Sequence, residues 1–345
     1  MNSTDLPRLT VRSPADLIAA VPYLLGFHPA DSVVVVALSG SRITFAARGD
    51  LPGEGDPHEP AGHIAAVTAQ QGADSATVIG YGTAARVTPA VDAIRVALAD
   101  AGLTVLDALR VTDGRWWSYV CAQPECCPPE GTPYDPLASA VPAAAVFAGQ
   151  VALPDRAALA AQVAPAGGAT MRQAAERADR RLTDLLAAAP STDLLGGRAL
   201  RTSGVAALRA SRGRHRDGER LTDDELAWLC LLLTHLPVRD HAWEHTDGRD
   251  EDTAFWAEVL RRAEPELIAA PGSLLAFAAW RAGQGALAAV ALERVLTEHP
   301  DYSLALLLED LLRRGVPPSR LDGWPATGLP RARRRAKRRA RRRSR

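Results

Sequence analysis

Strand-forming patterns are confined to the first third of this 345-residue chain, and this asymmetry limits the folds that it can adopt. β-Branched or alternating runs begin at Ser32, Arg42, Ser75, Leu103 and Arg115. After about residue 150 the apolar residues recur only at helical spacing. The sequence therefore predicts an α/β domain with a mixed sheet, followed by an all-α domain.

Local signals place the first elements of the α/β domain. Ser13 and Pro14 are typical of a helix start, and Gly26 of a helix end. The buried-type run over residues 32–38 and the strand that begins at Arg42 are joined by a short turn, which predicts an antiparallel hairpin. Two further helices are predicted over residues 57–71 and 89–101.

The remainder of the chain reads as helices and their connections. Helical periodicity covers residues 154–163, 169–188, 221–236, 252–263, 272–283, 285–298 and 301–314. Thr222 and Glu225 form a capping-box pattern, and Pro237 is predicted to end the helix that they begin. The Gly- and Arg-rich residues 194–220 are interpreted as a mobile connector.

Four segments follow from this organisation. The mixed α/β domain is predicted over residues 8–150, and a helical segment with the connector over 151–220. A helical domain is predicted over 221–320, and residues 321–345 are predicted to be a disordered basic tail.

Charge is distributed unevenly along the chain. The net charge is zero, but residues 331–345, which begin with Arg331 and end with Arg345, contain 11 of the 40 cations. The rest of the chain therefore has 29 cations against 40 acidic residues. Such a tail is expected to bind nucleic acid or another polyanion without sequence preference and with strong salt dependence.

Two common classes of protein are not expected. No apolar run follows a basic start and none is long enough to span a bilayer, which predicts a cytoplasmic protein without membrane contact. The stretch from Val78 to Thr83 has two glycines after a strand but lacks the dinucleotide and phosphate-loop patterns, so no cofactor is expected.

Three of the four cysteines lie in one Pro-rich segment. Cys121 and Cys126 have the spacing of half a zinc site, but no second pair follows, and neighbouring cysteines such as Cys126 and Cys127 rarely reach one ion. The favoured interpretation is a reduced, proline-stiffened surface loop, with zinc binding and a reversible disulfide as alternatives. Cys230 lies in an apolar helix and is expected to be buried.

Several polar residues follow predicted strands or turns. A catalytic site at the sheet edge, shared with Cys126 and Cys127, would draw on His28, Asp31, Arg48, Asp50, Asp113 and Arg115. The simpler interpretation is that Asp31 caps backbone amides in a turn and that the other charges form loop-stabilising ion pairs.

A second group of possible metal ligands lies after Pro237. His241 and His245 would share one face if this segment were helical, and could then bind a metal ion. The surrounding polar residues favour a solvated loop instead. No metal is therefore expected at His241 and His245.

Most of the chain resembles an uncharacterised bacterial family, the domain of unknown function 4192 family. The similar stretches include LLGFHPADSVVVVAL, RGDLP, VIGYG, DGRWWSYVC with CCPPEGTPYD, and AWLCLLLTHLPVRDHAW. The resemblance extends to about Gly315 and includes AAWRAGQGALAAVALERVL and HPDYSLALLL. It implies a bacterial cytosolic protein and brings no activity with it.

A local resemblance lies near the C-terminus. The residues around Gly283, Ala288, Leu292, Val295 and Pro300 resemble one tetratricopeptide hairpin, without a second copy at 34-residue spacing. Taken together, these features favour a non-catalytic regulatory or interaction protein with a protein partner. The alternative is an enzyme of unknown reaction with the polar sheet-edge site.

Overall fold

The computed structural model describes residues 10–53 and 55–321, which divide into two compact units. The first unit contains the residues up to 164 together with 284–290 and 309–315. The second contains 165–283, 291–308 and the residues from 316 onward. The predicted basic tail, apart from Leu321, lies outside the described residues.

A six-stranded mixed sheet forms the centre of the first unit, in the order β2-β1-β3-β4-β5-β6. The strands are β1 Ser32–Ser39, β2 Arg42–Asp50, β3 Ser75–Tyr81, β4 Thr104–Thr112, β5 Arg115–Ser118 and β6 Thr132–Pro133. Only β3 and β4 pair in parallel; the other neighbours are antiparallel. The predicted mixed sheet is confirmed. Only β6, a two-residue strand, gave no recognisable pattern.

Five α-helices accompany this sheet within the described part of the first 164 residues. They are α1 Pro14–Leu25, α2 His58–Gln70, α3 Ala84–Asp100, α4 Ala140–Phe147 and α5 Arg156–Ala161. The predicted ends of α1 are confirmed: the Ser13 hydroxyl accepts a hydrogen bond from the Asp16 amide, and Gly26 has φ +84°. Gly26 therefore supplies the left-handed conformation that ends the helix.

The predicted start of α3 is wrong by five residues. The helix begins at Ala84 after Thr83, and Pro89 lies inside it rather than at its first position. Inside a helix, proline removes one backbone hydrogen bond and crowds the carbonyl four residues earlier, so it is typical of a helix start. Here the helix nevertheless extends five residues before Pro89.

Both faces of the sheet are buried, which explains the continuous apolar run of β1. Val33 and Val35 pack in a core with α2 and α3, whereas Val34 and Val36 pack in a second core with α1. A strand that is covered on both sides has no solvent-facing positions, so its residues need not alternate between apolar and polar.

The second unit is helical, as predicted. Its helices, two of which it shares with the first unit, are α6 Ala169–Ala187, α7 Gly197–Arg216, α8 Asp223–Leu232, α9 Leu236–Glu244, α10 Asp250–Arg262, α11 Ala269–Arg281, α12 Gly285–Glu298 and α13 Ser303–Arg313. Between residues 155 and 315, all of which the structure describes, no strand occurs. The Thr222–Glu225 capping box at the start of α8 is confirmed.

Two predictions about loops in this part of the chain are wrong. The predicted connector forms α7, in which Gly204 leaves no room for a Cβ because Val238 of α9 fills that space. Glycine here serves close helix packing rather than chain mobility. Pro237 lies in the first turn of α9, so it begins a helix where the sequence predicted a helix end followed by a solvated loop.

The tetratricopeptide-like stretch forms part of α11 and α12. Gly283, with φ +77°, separates these two helices. Gly272 of α11 has no room for a Cβ because the side chain of Val295 occupies the space. Gly272, which lies before the tetratricopeptide-like stretch, thus permits close packing of α11 against Val295, while the likeness to a tetratricopeptide hairpin stays a prediction.

Candidate functional site

The segment that leaves β5 turns sharply, and its backbone is fixed by hydrogen bonds. The Cys121 amide donates to the Ser118 hydroxyl at 3.1 Å. The amides of Cys126 and Cys127 both donate to the carbonyl of Gln123, at 3.2 and 2.8 Å. These bonds bend residues 121–127 back on themselves, so that cysteines at both ends of the segment face one another. We call residues 121–131 the cysteine loop.

The returning half of the cysteine loop is held against Trp117. The Trp117 indole N–H donates to the carbonyl of Pro129 at 3.0 Å, and a Cβ at Gly131 would collide with the same ring. Gly131 also has φ +82°. The guanidinium of Arg115 donates to the carbonyl of Gly131 at 2.8 Å. The loop is therefore anchored at both ends to β5, which makes its geometry well defined.

Three thiols converge in this loop. The Sγ atoms of Cys121 and Cys126 are 3.1 Å apart, and those of Cys121, Cys126 and Cys127 all lie within 4.8 Å of one another. The expectation that neighbouring Cys126 and Cys127 rarely reach one ion stays a prediction, although both side chains approach Cys121. The reason for this approach is the tight turn at Gln123, whose carbonyl accepts from both amides.

The three thiols have different acidities. The hydrogen bond from Cys126 lowers the pKa of Cys121, and the same bond raises the pKa of Cys126. Desolvation, together with the two neighbouring thiols, raises the pKa of Cys127 to about 12. Cys121 is thus the thiol that most readily becomes a thiolate, the form that binds metals and attacks electrophiles.

Exposure also differs among the cysteines. Cys126 is exposed and Cys230 is buried, as predicted, and burial raises the pKa of Cys230 to about 12. Cys127 was predicted to lie at the surface but is half-buried, because it packs against the core between α1 and the sheet. The cysteine loop therefore has one thiol open to solvent and one directed towards the core.

The polar residues proposed for a catalytic site share one edge of the sheet. In the strand register Ser32 pairs with Asp50 and with Tyr81, and Tyr81 pairs with Val111. This register places Asp31, Asp50 and Asp113 at the same edge, because each adjoins or ends a strand there. The cysteine loop, in contrast, leaves the opposite end of β5 and returns to this edge only at β6.

Separate contacts occupy these polar residues. Arg86 pairs with Asp31 at 2.5 Å, so Asp31 does not act as the predicted cap of backbone amides. Arg48 pairs with Asp50 at 2.7 Å. His28 is exposed, and its backbone amide donates to the carbonyl of Leu153.

Asp113 and Arg115 complete the predicted set. Asp113 has φ +51° in the turn between β4 and β5 and accepts a hydrogen bond from the Thr112 hydroxyl at 3.3 Å. Arg115 donates to carbonyls of the cysteine loop, as described above. Within residues 10–53 and 55–321, Arg48 with Asp50 is the one ion pair that joins two members of the predicted set.

A row of buried polar side chains escaped the sequence analysis. Ser32, Tyr81, Trp116 and Thr132 lie in one register row across the sheet, and each has a buried polar atom without a hydrogen-bond partner. Such atoms are normally satisfied by ordered water or a ligand. Strand alternation could have indicated that these residues share a face, but not that they lack partners.

His241 lies on helix α9, and His245 is the residue that caps the C-terminal end of this helix. The rings of His241 and His245 are 4.1 Å apart, and Glu244 completes a group whose ligand atoms lie within 4.8 Å. The Nδ1 atom of His245 is 2.8 Å from the His241 carbonyl. Desolvation and electrostatic repulsion from His245 lower the pKa of His241, with smaller contributions from Arg201 and Arg209, whereas Glu244 acts in the opposite direction.

A family model described as Domain of unknown function (DUF4192) matches residues 14–319, which is most of the chain. No curated protein and no solved structure matches. Among the described helices, none combines the length and the apolar character needed to cross a membrane.

Proposed function

We propose that this chain, which belongs to the domain of unknown function 4192 family, is a bacterial cytoplasmic regulatory protein that binds a thiophilic metal ion of the zinc class through its cysteine loop. The convergence of three thiols within 4.8 Å is the observation that supports this proposal. The bound ion would act as a signal rather than as a catalyst.

The geometry of the thiols suits one metal ion. Zinc binds thiolate sulfur at about 2.3 Å, so two sulfurs on a tetrahedral ion lie roughly 3.8 Å apart. The Sγ atoms of Cys121 and Cys126, at 3.1 Å, need to separate by less than an ångström. Three thiolates leave a fourth position for water or for a ligand from a partner, which is how an ion can join a regulatory protein to its target.

The chemistry of the loop supports a thiophilic ion over a hard cation. Sulfur ligands select zinc and similar soft or borderline metals, whereas magnesium and calcium require oxygen. Cys121 has a lowered pKa and would be the first ligand to bind, and the ion would then displace protons from Cys126 and Cys127.

A regulatory role fits the polar residues better than catalysis does. Asp31 pairs with Arg86, and Arg48 pairs with Asp50, so these charges stabilise separate turns. An enzyme would need several of them to converge on one position where a substrate atom could lie. Regulation also implies a partner, for which the basic residues 331–345 are the proposed contact.

Zinc titration of the full-length, reduced protein tests the proposal. Native mass spectrometry should detect one zinc ion per chain, and a competing chromophoric chelator should give its affinity. Each of Cys121→Ser, Cys126→Ser and Cys127→Ser is expected to weaken binding at least tenfold, whereas the matched control Cys230→Ala leaves it unchanged. Zinc at 100 times its Kd should stabilise the wild type by about 2.7 kcal/mol.

Two outcomes would contradict the proposal. Binding that survives all three loop substitutions would place the ion elsewhere, with the α9 histidines as the next group to test. A protein that takes up no zinc when reduced, but loses two hydrogens as Cys121 and Cys126 form a disulfide with a mild oxidant, would indicate a redox switch instead.

A further inference from the structure

A concave groove in the second unit combines an apolar floor with acidic walls. It lies between α6, α8 and the 3-10 turn Pro265–Leu267, and its volume is about 460 Å³. The floor consists of small and aliphatic side chains: Ala175, Ala178, Ala227, Leu231 and Leu267. We call it the α6–α8 groove.

The charges around this groove are unbalanced. Its four carboxylates belong to Glu176, Asp179, Glu264 and Glu266, and its single cation is Arg172. Two neighbouring arginines of α6 are engaged elsewhere: Arg177 pairs with Asp224, and Arg181 stacks on Trp228. Within the described ranges, none of the four carboxylates forms a salt bridge.

Arg172 balances one of the four carboxylates, so an excess of negative charge remains around the apolar floor unless a further cation enters the groove. Partial burial and the neighbouring carboxylate of Glu266 raise the pKa of Glu264, against the opposing effect of Arg172. An arginine side chain complements both features, because its methylenes cover apolar surface while its guanidinium binds carboxylates. Several adjacent arginines would neutralise the groove more completely than one free cation.

The chain itself supplies such a segment. Residues 331–345 contain ten arginines and one lysine, interrupted by alanine. Before them, the carbonyl of Leu321 accepts a hydrogen bond from Arg281, in the last turn of α11. The chain that leads to this segment therefore leaves the described residues at a known position in the same unit as the groove.

The intervening chain is long enough to reach the groove. The 3-10 turn at the groove lies just before α11, and Leu321 lies at the other end of this helix. Thirteen helical residues span about 20 Å. The nine residues 322–330 can extend to roughly 30 Å. Arg331 and the residues after it can thus be placed over the carboxylates without any change in the described part of the unit.

We infer that the α6–α8 groove binds the basic segment 331–345 of the same chain, with arginine stems on its apolar floor and guanidinium groups on its carboxylates. This contact covers the cations that would otherwise bind nucleic acid. A polyanion must therefore compete with the groove for the segment, which makes the contact autoinhibitory. The inference is independent of the cysteine loop and of any metal.

Lys337 makes the contact directly measurable, because it is the only lysine in the chain. A carbodiimide couples an amine to a carboxylate only when the two are in contact. In the full-length protein at low salt, most cross-links from Lys337 should map to Glu176, Asp179, Glu264 or Glu266. A mixture of isotopically light and heavy protein should show that these cross-links form within one chain, and 0.5 M salt should abolish them, since the contact is ionic.

A neutralised groove provides the matched comparison. The variant E176Q/E264Q/E266Q should lose the Lys337 cross-links and bind a short DNA duplex three- to tenfold more tightly at low salt. The control variant E59Q/D301N/E309Q changes the total charge equally at exposed sites outside the groove and should retain the cross-links. It should show at most a small gain in DNA affinity.

Three results would overturn the inference. Cross-links from Lys337 could be spread evenly over carboxylates outside the groove, they could form only between chains, or the two triple variants could bind DNA equally. Circular dichroism and thermal unfolding of both variants establish that each is folded, so a loss of cross-links cannot come from misfolding.

Discussion

The cysteine loop of the first unit and the Arg262 cluster of the second unit both gather reactive or charged groups, but in opposite ways. Arg262 is buried and donates to Asp223 at 2.6 Å, to Glu258 at 2.9 Å and to the carbonyl of Leu221 at 2.8 Å. Opposite charges meet there and satisfy each other. In the loop, three similar thiols meet without any partner of opposite charge.

This difference separates a structural cluster from a binding site. A cluster whose donors and acceptors are matched needs nothing further, and its removal costs stability. Like side chains that the backbone holds together contribute little to stability through their mutual contacts. A ligand that binds all of them at once stabilises this arrangement. For this reason we assign the cysteine loop, and not the Arg262 cluster, to function.

The largest loss of stability is expected at Arg212 and Asp252, a buried ion pair that we group with the structural clusters. Asp252 is buried and bonds to Arg212 on α7. Arg212→Met should reduce the free energy of unfolding by about 3 kcal/mol, because it leaves a buried carboxylate unpaired. Chemical denaturation measures this loss.

A control from the same helix completes that experiment. Arg216 pairs with Glu251 at 3.7 Å on an exposed surface, so Arg216→Met should change stability by less than about 0.5 kcal/mol. Cys126→Ser should also have a small effect in the absence of metal. If Cys126→Ser lowered the free energy of unfolding as much as Arg212→Met, the cysteine loop would be a structural cluster and not a binding site.

An intermediate loss of stability is expected at Gly131, where the cysteine loop packs against Trp117. Gly131 and Gly102 both have left-handed backbones, with φ +82° and +80°, but only Gly131 lacks room for a Cβ. Gly102→Ala should cost about 1 kcal/mol for the backbone alone. Gly131→Ala should cost roughly 1 kcal/mol more and should weaken zinc binding, since the loop must move away from the ring. Equal effects of the two substitutions on both measurements would show that Trp117 does not position the loop.

The smallest effect concerns the capping box of α8. Thr222→Ala should reduce the free energy of unfolding by about 1 kcal/mol. Hydrogen bonds from the Thr222 amide and hydroxyl, with help from Arg214, lower the pKa of Glu225 in the folded protein. A carboxyl whose pKa is lowered by folding stabilises the protein above its unfolded pKa, and this contribution disappears as the pH falls through the folded pKa.

The pH dependence of the free energy of unfolding tests the ionic contribution of Glu225 to the capping box. Between about pH 5 and pH 3 the wild type should lose more stability than Glu225→Gln, which cannot ionise. Denaturation curves of both proteins over this range measure the difference. A parallel decline would show that the capping box makes no ionic contribution and that the Glu225 carboxylate is solvated.

The sequence predicted most elements because their signals are local. Ser13, Gly26 and the Thr222–Glu225 pair act within one helical turn, and the register of β1 with β2 follows from a short connection. The buried state of Cys230 was likewise predictable from the apolar helix around it. Such features depend on residues that are a few positions apart in the chain, so a local sequence pattern is sufficient to predict them.

What the sequence could not predict depends on distant partners. Gly204 was interpreted as part of a connector because its packing partner, Val238, lies outside the local Gly- and Arg-rich pattern. Asp31 indicated a capping residue because Arg86, its partner, lies 55 positions away. The approach of Cys127 to Cys121 required the double hydrogen bond to the Gln123 carbonyl, which spacing alone does not reveal.

The comparison between the two regions depends on whether the cysteine loop binds an ion through three sulfurs. Zinc-edge X-ray absorption of the full-length protein with one equivalent of zinc counts these ligands. Three sulfurs at about 2.3 Å and one oxygen or nitrogen are expected, and Cys127→Ser should reduce the sulfurs to two. A spectrum with only oxygen and nitrogen neighbours, or one that Cys127→Ser leaves unchanged, would contradict this expectation.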